Sequence, residues 1–513
     1  MKLKIGYQKD YMDKKRLSLN LIASIFSYAL SIFFSFYLTP YLVNHLGKEL
    51  YGFYGIANNL VSYIMVISMA LNSMAAKYIT VELVKGEKVR AKQYFTSIFI
   101  SNVALSLVLV PILVILTIHL QDFLSISVGH LRQVQFLFAF VFLAMLIRLV
   151  SSIYGTATYA ANRIDIRSYI EMGKSILRVA LYVVIFSLLD ASIVHVGFIL
   201  LVLELFNSII QISLSKKLLP EMTIDFSYFD IKLVFSTLKV GIWNSVNQLG
   251  DLLLSSSGLV LANIWLGEVA SGNVSIIQTM PALISGIITA INGVFMPRIA
   301  HKYAVSKTSD LLDEVQMSQR VTGAIITPII ILLMVFSYEF YNLWVPGNDI
   351  ELLQKLSIID IARMMIIGVN WPVLNLTIVT DKVKFPSIVL IGLGVLNILI
   401  VNLLISFTNL GVFAIVLSTL IITILFYGIA IPLYSSFIIK QPWSALYKPI
   451  CQMIVATTVM LPVTLYIHSL FSIHSWKDFI LSGFMAAVVS YTISICVFIG
   501  PKFIFKLIPK CYK

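Results

Sequence analysis

Trp265-Leu-Gly-Glu-Val-Ala-Ser-Gly272 decides how this chain is read, because His45-Leu-Gly-Lys-Glu-Leu-Tyr-Gly52 carries the same Leu-Gly pair at the same spacing to a later glycine. Setting Leu46 on Leu266 fixes one offset between the two stretches. At that offset Asn58 falls on Gln278 and Asn72 on Asn292, while Ser24, Ser27, Ser31 and Ser35 fall on Asn244, Asn247, Asp251 and Ser255. Matching leucines mean little in so apolar a chain; polar residues in register mean more. The chain reads as two related halves, each opening with a helix, a tight Leu-Gly turn and a second helix.

Outward from the repeat, the 513 residues are 59% hydrophobic and 12% charged, with a mean hydropathy of +0.94. That composition excludes a soluble globular protein. Apolar runs of about 20 residues recur from Leu19 to Ile499, the pattern of membrane-crossing helices. The expected fold is an all-α polytopic membrane protein with about fourteen transmembrane helices. Two six-helix lobes form parallel repeats, followed by two C-terminal helices. The expected organisation is a basic arm at 1–18, an N-lobe at 19–215, a linker at 216–239 and a C-lobe at 240–437. Two further spans occupy 449–499, and a basic tail occupies 500–513.

The net charge of +13 would suggest a nucleic-acid partner in a soluble chain. Here the basic residues cluster in alternate loops: Lys2 to Arg16, then Lys77, Lys85, Lys88, Arg90 and Lys92, then Arg163, Arg167, Lys216 and Lys217. The opposite loops hold little beyond Lys48 and Arg132, so both termini are read as cytoplasmic. A cysteine at Ser271 would then label from outside, and one at Ser306 only after permeabilisation. The segments 77–93, 216–236 and 298–319 mix charged and apolar residues and read as amphipathic helices on the inner surface. Cys451, Cys496 and Cys511 form no disulfide framework, and the seven histidines lack metal-ligand spacing. No cofactor is expected, and the absence of a Walker lysine loop argues against ATP hydrolysis.

Polar groups inside spans must face other helices or water. The series Asn244, Asn247, Asp251, Ser255 recurs at helical spacing, as do Asn20, Ser24, Ser27, Ser31, Ser35 and the pair Gln278, Asn292. Close packing through small residues accounts for the serine face equally well. The carboxylate of Asp251 favours a hydrated cavity. A carboxylate there is costly unless hydrated, paired or protonated, so Asp251 is a candidate coupling site, with Glu204 and Asp360 as competitors. Arg148, Arg178, Arg298 and Arg363 are candidates for holding an anion, since guanidinium matches phosphate oxygens. The competing readings are an ion-pair network among Arg148, Arg178 and Glu204, a structural pair of Asp360 with Arg363, and an interfacial anchor at Arg298.

Leu38-Thr-Pro-Tyr-Leu-Val-Asn-His-Leu-Gly-Lys-Glu-Leu-Tyr-Gly-Phe-Tyr54 resembles the start of bacterial O-antigen and capsule (Wzx-type) flippases, and Phe295-Met-Pro-Arg-Ile-Ala300 is similar to their segment after the eighth helix. These flippases belong to the multidrug/oligosaccharidyl-lipid/polysaccharide exporter superfamily. The resemblance implies movement of an undecaprenyl-diphosphate-linked oligosaccharide across the bacterial inner membrane by alternating access. It also implies membrane lipids, a polysaccharide polymerase and a chain-length regulator as partners. Two rivals are a drug or cation antiporter of the same superfamily, disfavoured by the intramembrane arginines, and a membrane polysaccharide polymerase, disfavoured by the short external loops.

Overall fold

In the computed structural model, which describes residues 14–305 and 308–500, both Leu-Gly pairs make the same turn. Gly47 and Gly267 adopt φ of +80° and +87°, a region that favours glycine. Gly47 donates its N–H to Val43 O and accepts from Tyr51, while Gly267 donates to Asn263 O and accepts from Ser271. Each hydrogen bond of the first copy recurs in the second at the same length, 2.9 Å for the one donated and 3.2 Å for the one accepted. The duplication read from the sequence is therefore carried by backbone geometry. The expected basic arm up to residue 13, the basic tail from residue 501 and Ser306 lie outside the described residues.

The architecture is helical. In the first half α1 is Lys14–Leu46, α2 Lys48–Lys85, α3 Lys88–Ile118, α4 Leu131–Ser151, α5 Ile164–Leu188 and α6 Ile193–Leu218. Then come α7 Ile231–Ser255, α8 Ser257–Leu266, α9 Glu268–Ile277, α10 Thr279–Val305, α11 Thr308–Val335, α12 Ser337–Trp344 and α13 Ile350–Val379. The chain finishes with α14 Lys384–Phe407, α15 Phe413–Thr423, α16 Ile431–Ile438, α17 Lys448–Ser469 and α18 Trp476–Phe498. Among the described residues, eleven helices or continuous helix pairs are long and apolar enough to cross a membrane, and α7 with α8, bent by 43°, makes up to twelve. The expected fourteen also counted α5 and α13, which fall outside that number and carry charged residues along their length.

Helix lengths differ from those read off hydropathy. The 38 residues of α2 span about 57 Å, nearly twice a bilayer core. Its end is a glycine cap at Gly86 (φ +87°), where Glu87 N–H reaches Glu82 O. The expected surface helices at 77–93 and 298–319 are thus the ends of spanning helices: apolar packing continues through Ile79, and Lys77, Lys85 and Lys88 are exposed while Glu82 and Glu314 are buried.

The chain divides into two compact units. One comprises residues up to Leu252 with Asn263–Gly272; the other comprises Leu253–Ala262 with the chain from Asn273 onward. In the first unit the two motif copies meet. A Cβ on Gly52 would lie 2.8 Å from Gly272 N, and one on Gly272 would lie 2.4 Å from Lys48 O. The repeated glycine is therefore required by backbone-to-backbone contact between the copies, as at small-residue crossings in membranes. α7 crosses α2 even more closely: a Cβ on Gly241 would sit 1.9 Å from Ala70 O, and Ser245 Oγ donates to Val66 O beside it. In the second unit Pro328 removes the N–H that would bond Ala324 O within α11, and Ser494 Oγ of α18 donates to that carbonyl at 2.9 Å. α18 thereby satisfies the carbonyl that Pro328 leaves without its helical partner.

Candidate functional site

Polar side chains recur at equivalent positions of the two repeats. Asn72 of α2 donates to Ser68 O one turn back, and its repeat partner Asn292 of α10 donates to Ile288 O in the same way. Around Asn72, Asn102 and Ser152 close a three-residue knot, Asn102 exchanging amide hydrogen bonds with Asn72 at 3.0 and 3.1 Å. Around Asn292, the Asn375 amide approaches at 3.5 Å. Asn292 is buried, so its role in this geometry is to join helices.

The other expected polar positions divide between packing and exposure. Asn20 caps α5: its Oδ1 accepts Asp165 N–H at 2.9 Å, and Ser24 meets Ser168 one turn on. Gln278 donates weakly to Ser255 O at 3.5 Å. On α7, Asn244 is exposed and donates to Ser73 Oγ, Asn247 is exposed, and Asp251 is half-buried. The stripe Asn244, Asn247, Asp251 is therefore the polar series that the fold leaves most open.

The charged candidates are sorted by their partners. Asp360 and Arg363 form a buried ion pair at 2.6 Å, one helical turn apart on α13. Removing one partner of such a pair costs about 3–5 kcal/mol because the other is left buried and uncompensated. Arg298 makes a two-point contact with Glu314, Nε to Oε1 at 2.8 Å and Nη2 to Oε2 at 3.2 Å, while its head stays exposed. These two arginines are already matched by carboxylates. Glu204 pairs with Lys174 of α5 at 3.6 Å and accepts from Asn207 at 3.0 Å, so its ion-pair partner is the lysine and neither of the expected arginines.

Arg178 and Arg148 are different. Arg178 Nε is buried without a hydrogen-bond partner among the described residues. Arg148, one turn before the Ser151–Ser208 contact that joins α4 to α6, is exposed and makes no ion pair or side-chain hydrogen bond among the described residues. A cation so placed on a membrane helix needs water or an anion beside it. Sequence reading missed two groups. Glu314 lies on the helix after that of Arg298, and no spacing rule connects them. Arg320 of α11, half-buried with Nε unpartnered, holds Gln316 at 3.4 Å and was visible only as one polar residue in the run Gln316, Gln319, Arg320.

Comparison with known proteins decides the family. The sequence profile of the polysaccharide biosynthesis protein family matches residues 18–302, more than half of the chain. The chain belongs to that family. It is 25% identical over 468 residues to the uncharacterized membrane protein EpsK of Bacillus subtilis (strain 168), covering 91% of this chain and 92% of that one. Its fold is that of the lipid II flippase MurJ in an inward closed conformation, with a TM-score of 0.65 at 14% identity over 94% of this chain and 98% of the other. It is likewise similar to an inward-facing multidrug resistance MATE transporter of the MOP superfamily, with a TM-score of 0.63 at 14% identity over 83% and 98% of the two chains. This polysaccharide biosynthesis protein is thus a multi-span membrane protein with the fold shared by MurJ and MATE transporters.

Proposed function

We propose that this chain is a flippase that moves undecaprenyl-diphosphate-linked oligosaccharide from the inner to the outer leaflet of the bacterial cytoplasmic membrane by alternating access, supplying a surface polysaccharide such as O-antigen or capsule. The observation that carries this reading is Arg148, an exposed and unmatched cation on a membrane helix of a polysaccharide biosynthesis protein. Arg178, with its unpartnered Nε, supports it. Phosphate oxygens match a guanidinium group through planar, two-point hydrogen bonds. The amides of Asn244 and Asn247 suit sugar hydroxyls, which both donate and accept. A drug or cation antiporter would gain nothing from such arginines.

Coupling is assigned to Asp251, half-buried on the open stripe of α7 where water and substrate would pass. The substrate carries about two negative charges, and each gains about 2.3 kcal/mol per 100 mV on moving outward across an inside-negative membrane, in the direction the field drives an anion. The membrane potential therefore assists export unless protein cations travel with the substrate.

The test is glycan export in cells. Arg148→Ala and Arg178→Ala are expected to insert at normal levels and to lose most surface polysaccharide, with partial recovery in the lysine variants. Undiminished export in both alanine variants overturns the assignment.

A further inference from the structure

α5 fails the composition of a simple membrane span because Arg167, Glu171, Lys174 and Arg178 follow one another at i, i+4, i+7 and i+11. That spacing puts all four on one helical face. The exposed apolar residues Tyr169, Ile176 and Val183 recur at i, i+7 and i+14 about half a turn away. The buried stripe of α5 is Ser168, Ser175 and Tyr182, between these two faces; on the charged face Arg167 and Glu171 are exposed, while Lys174 and Arg178 are half-buried.

On that face one contact is asymmetric. Glu204 of α6 is buried, and its Oε1 is fixed by the Asn207 amide at 3.0 Å; Asn207 is fixed in turn by Gln211 at 3.2 Å. Its Oε2 faces Lys174 Nζ at 3.6 Å, beyond hydrogen-bond length, and the lysine side chain keeps 27% of its exposure. The carboxylate is anchored; the ammonium sits on a flexible four-carbon stem and only leans on it. Arg178, one turn on, has its unpartnered Nε.

We infer that Glu204 is a built-in stand-in for substrate phosphate: it masks Lys174 in the empty protein, and an arriving diphosphate takes the ammonium from it into a seat made by Lys174 and Arg178. The inference rests on the proposed substrate class and deepens it. An anion that reaches Lys174 at normal hydrogen-bond length outcompetes a carboxylate held at 3.6 Å. When the anion leaves, Lys174 returns to Glu204, so the vacated seat does not retain an uncompensated cation. The clasp thereby lowers affinity and speeds release, as a carrier requires.

The test uses the full chain in lipid nanodiscs and inorganic diphosphate as probe, with binding measured by calorimetry. Glu204→Gln keeps the Asn207 hydrogen bond and removes the charge; it is expected to bind diphosphate about tenfold more tightly than the unmodified chain. Lys174→Ala binds more weakly than the unmodified chain, and Glu204→Gln with Lys174→Ala binds like Lys174→Ala alone. Lys174→Gln replaces the alanine variant if that protein elutes aggregated. Glu204→Gln no tighter than the unmodified chain overturns the clasp. So does a double variant that retains the gain, since Glu204 would then repel anions without acting through Lys174. Absence of diphosphate binding in every folded variant overturns it as well. Transport of the lipid-linked glycan by the unmodified chain is measured separately. A chain that shows the binding order but moves no glycan keeps the clasp and loses only the substrate.

Discussion

Replacing Gly272 by alanine is the sharpest perturbation of the duplicated core. The added Cβ would lie 2.4 Å from Lys48 O, so α2 and α9 must separate by about 1 Å to restore an ordinary contact near 3.4 Å. Overpacking of this kind costs about 1–3 kcal/mol, and the better helix propensity of alanine returns up to about 1 kcal/mol. The net expectation is a destabilisation of about 1–2 kcal/mol. Gly241→Ala, with its Cβ 1.9 Å from Ala70 O, should cost more. Gly293 supplies the control: it lies inside α10 with open space around its Cβ position, so alanine there should leave stability unchanged or raise it by up to about 1 kcal/mol. Thermal unfolding in detergent, followed by tryptophan fluorescence, ranks the three variants. An order other than Gly241→Ala below Gly272→Ala below Gly293→Ala refutes the packing argument. So does a Gly272→Ala protein as stable as the unmodified chain.

Two further outcomes are expected. Ser271 is buried and Ser306 lies outside the described residues, so the orientation is better probed by Val128→Cys and Phe226→Cys, both exposed. Val128→Cys should label from outside intact cells and Phe226→Cys only after permeabilisation; the reverse pattern contradicts cytoplasmic termini. Asp251→Asn, which mimics the protonated carboxyl, should keep flipping the glycan but lose the dependence of rate on a pH gradient, measured in vesicles of defined internal pH. Retained dependence removes Asp251 from coupling.

The duplicated Leu-Gly turn was legible because its chemistry is local: a positive φ and a backbone contact both demand glycine, and the demand recurs at one offset. Asn72 and Asn292 were legible for the same reason, each bonding one turn back in its own helix. Asp360 with Arg363 was legible because i, i+3 brings two residues to one face. The partner of Glu204 was not. Lys174 lies on a different helix, and in a chain that is 59% hydrophobic the apolar pattern does not reveal which face of α5 turns toward α6. The pairing of Arg298 with Glu314 was hidden because the two residues lie on different helices, α10 and α11. Helix length was obscured by hydropathy itself: the charged ends of α2 and α10 read as separate surface segments, although the backbone continues through them as one helix.

The central claim is that this chain carries a lipid-linked glycan across the membrane. The direct measurement places the purified chain in proteoliposomes with undecaprenyl-diphosphate-linked oligosaccharide and follows access of a membrane-impermeant glycosidase to the glycan over time. The predicted result is that the fraction cleaved rises beyond the outer-leaflet share with the unmodified chain, faster with an inside-negative potential, and stays at that share with Arg148→Ala. Cleavage that stops at the outer-leaflet share with the unmodified chain, under either sign of potential, would contradict the account.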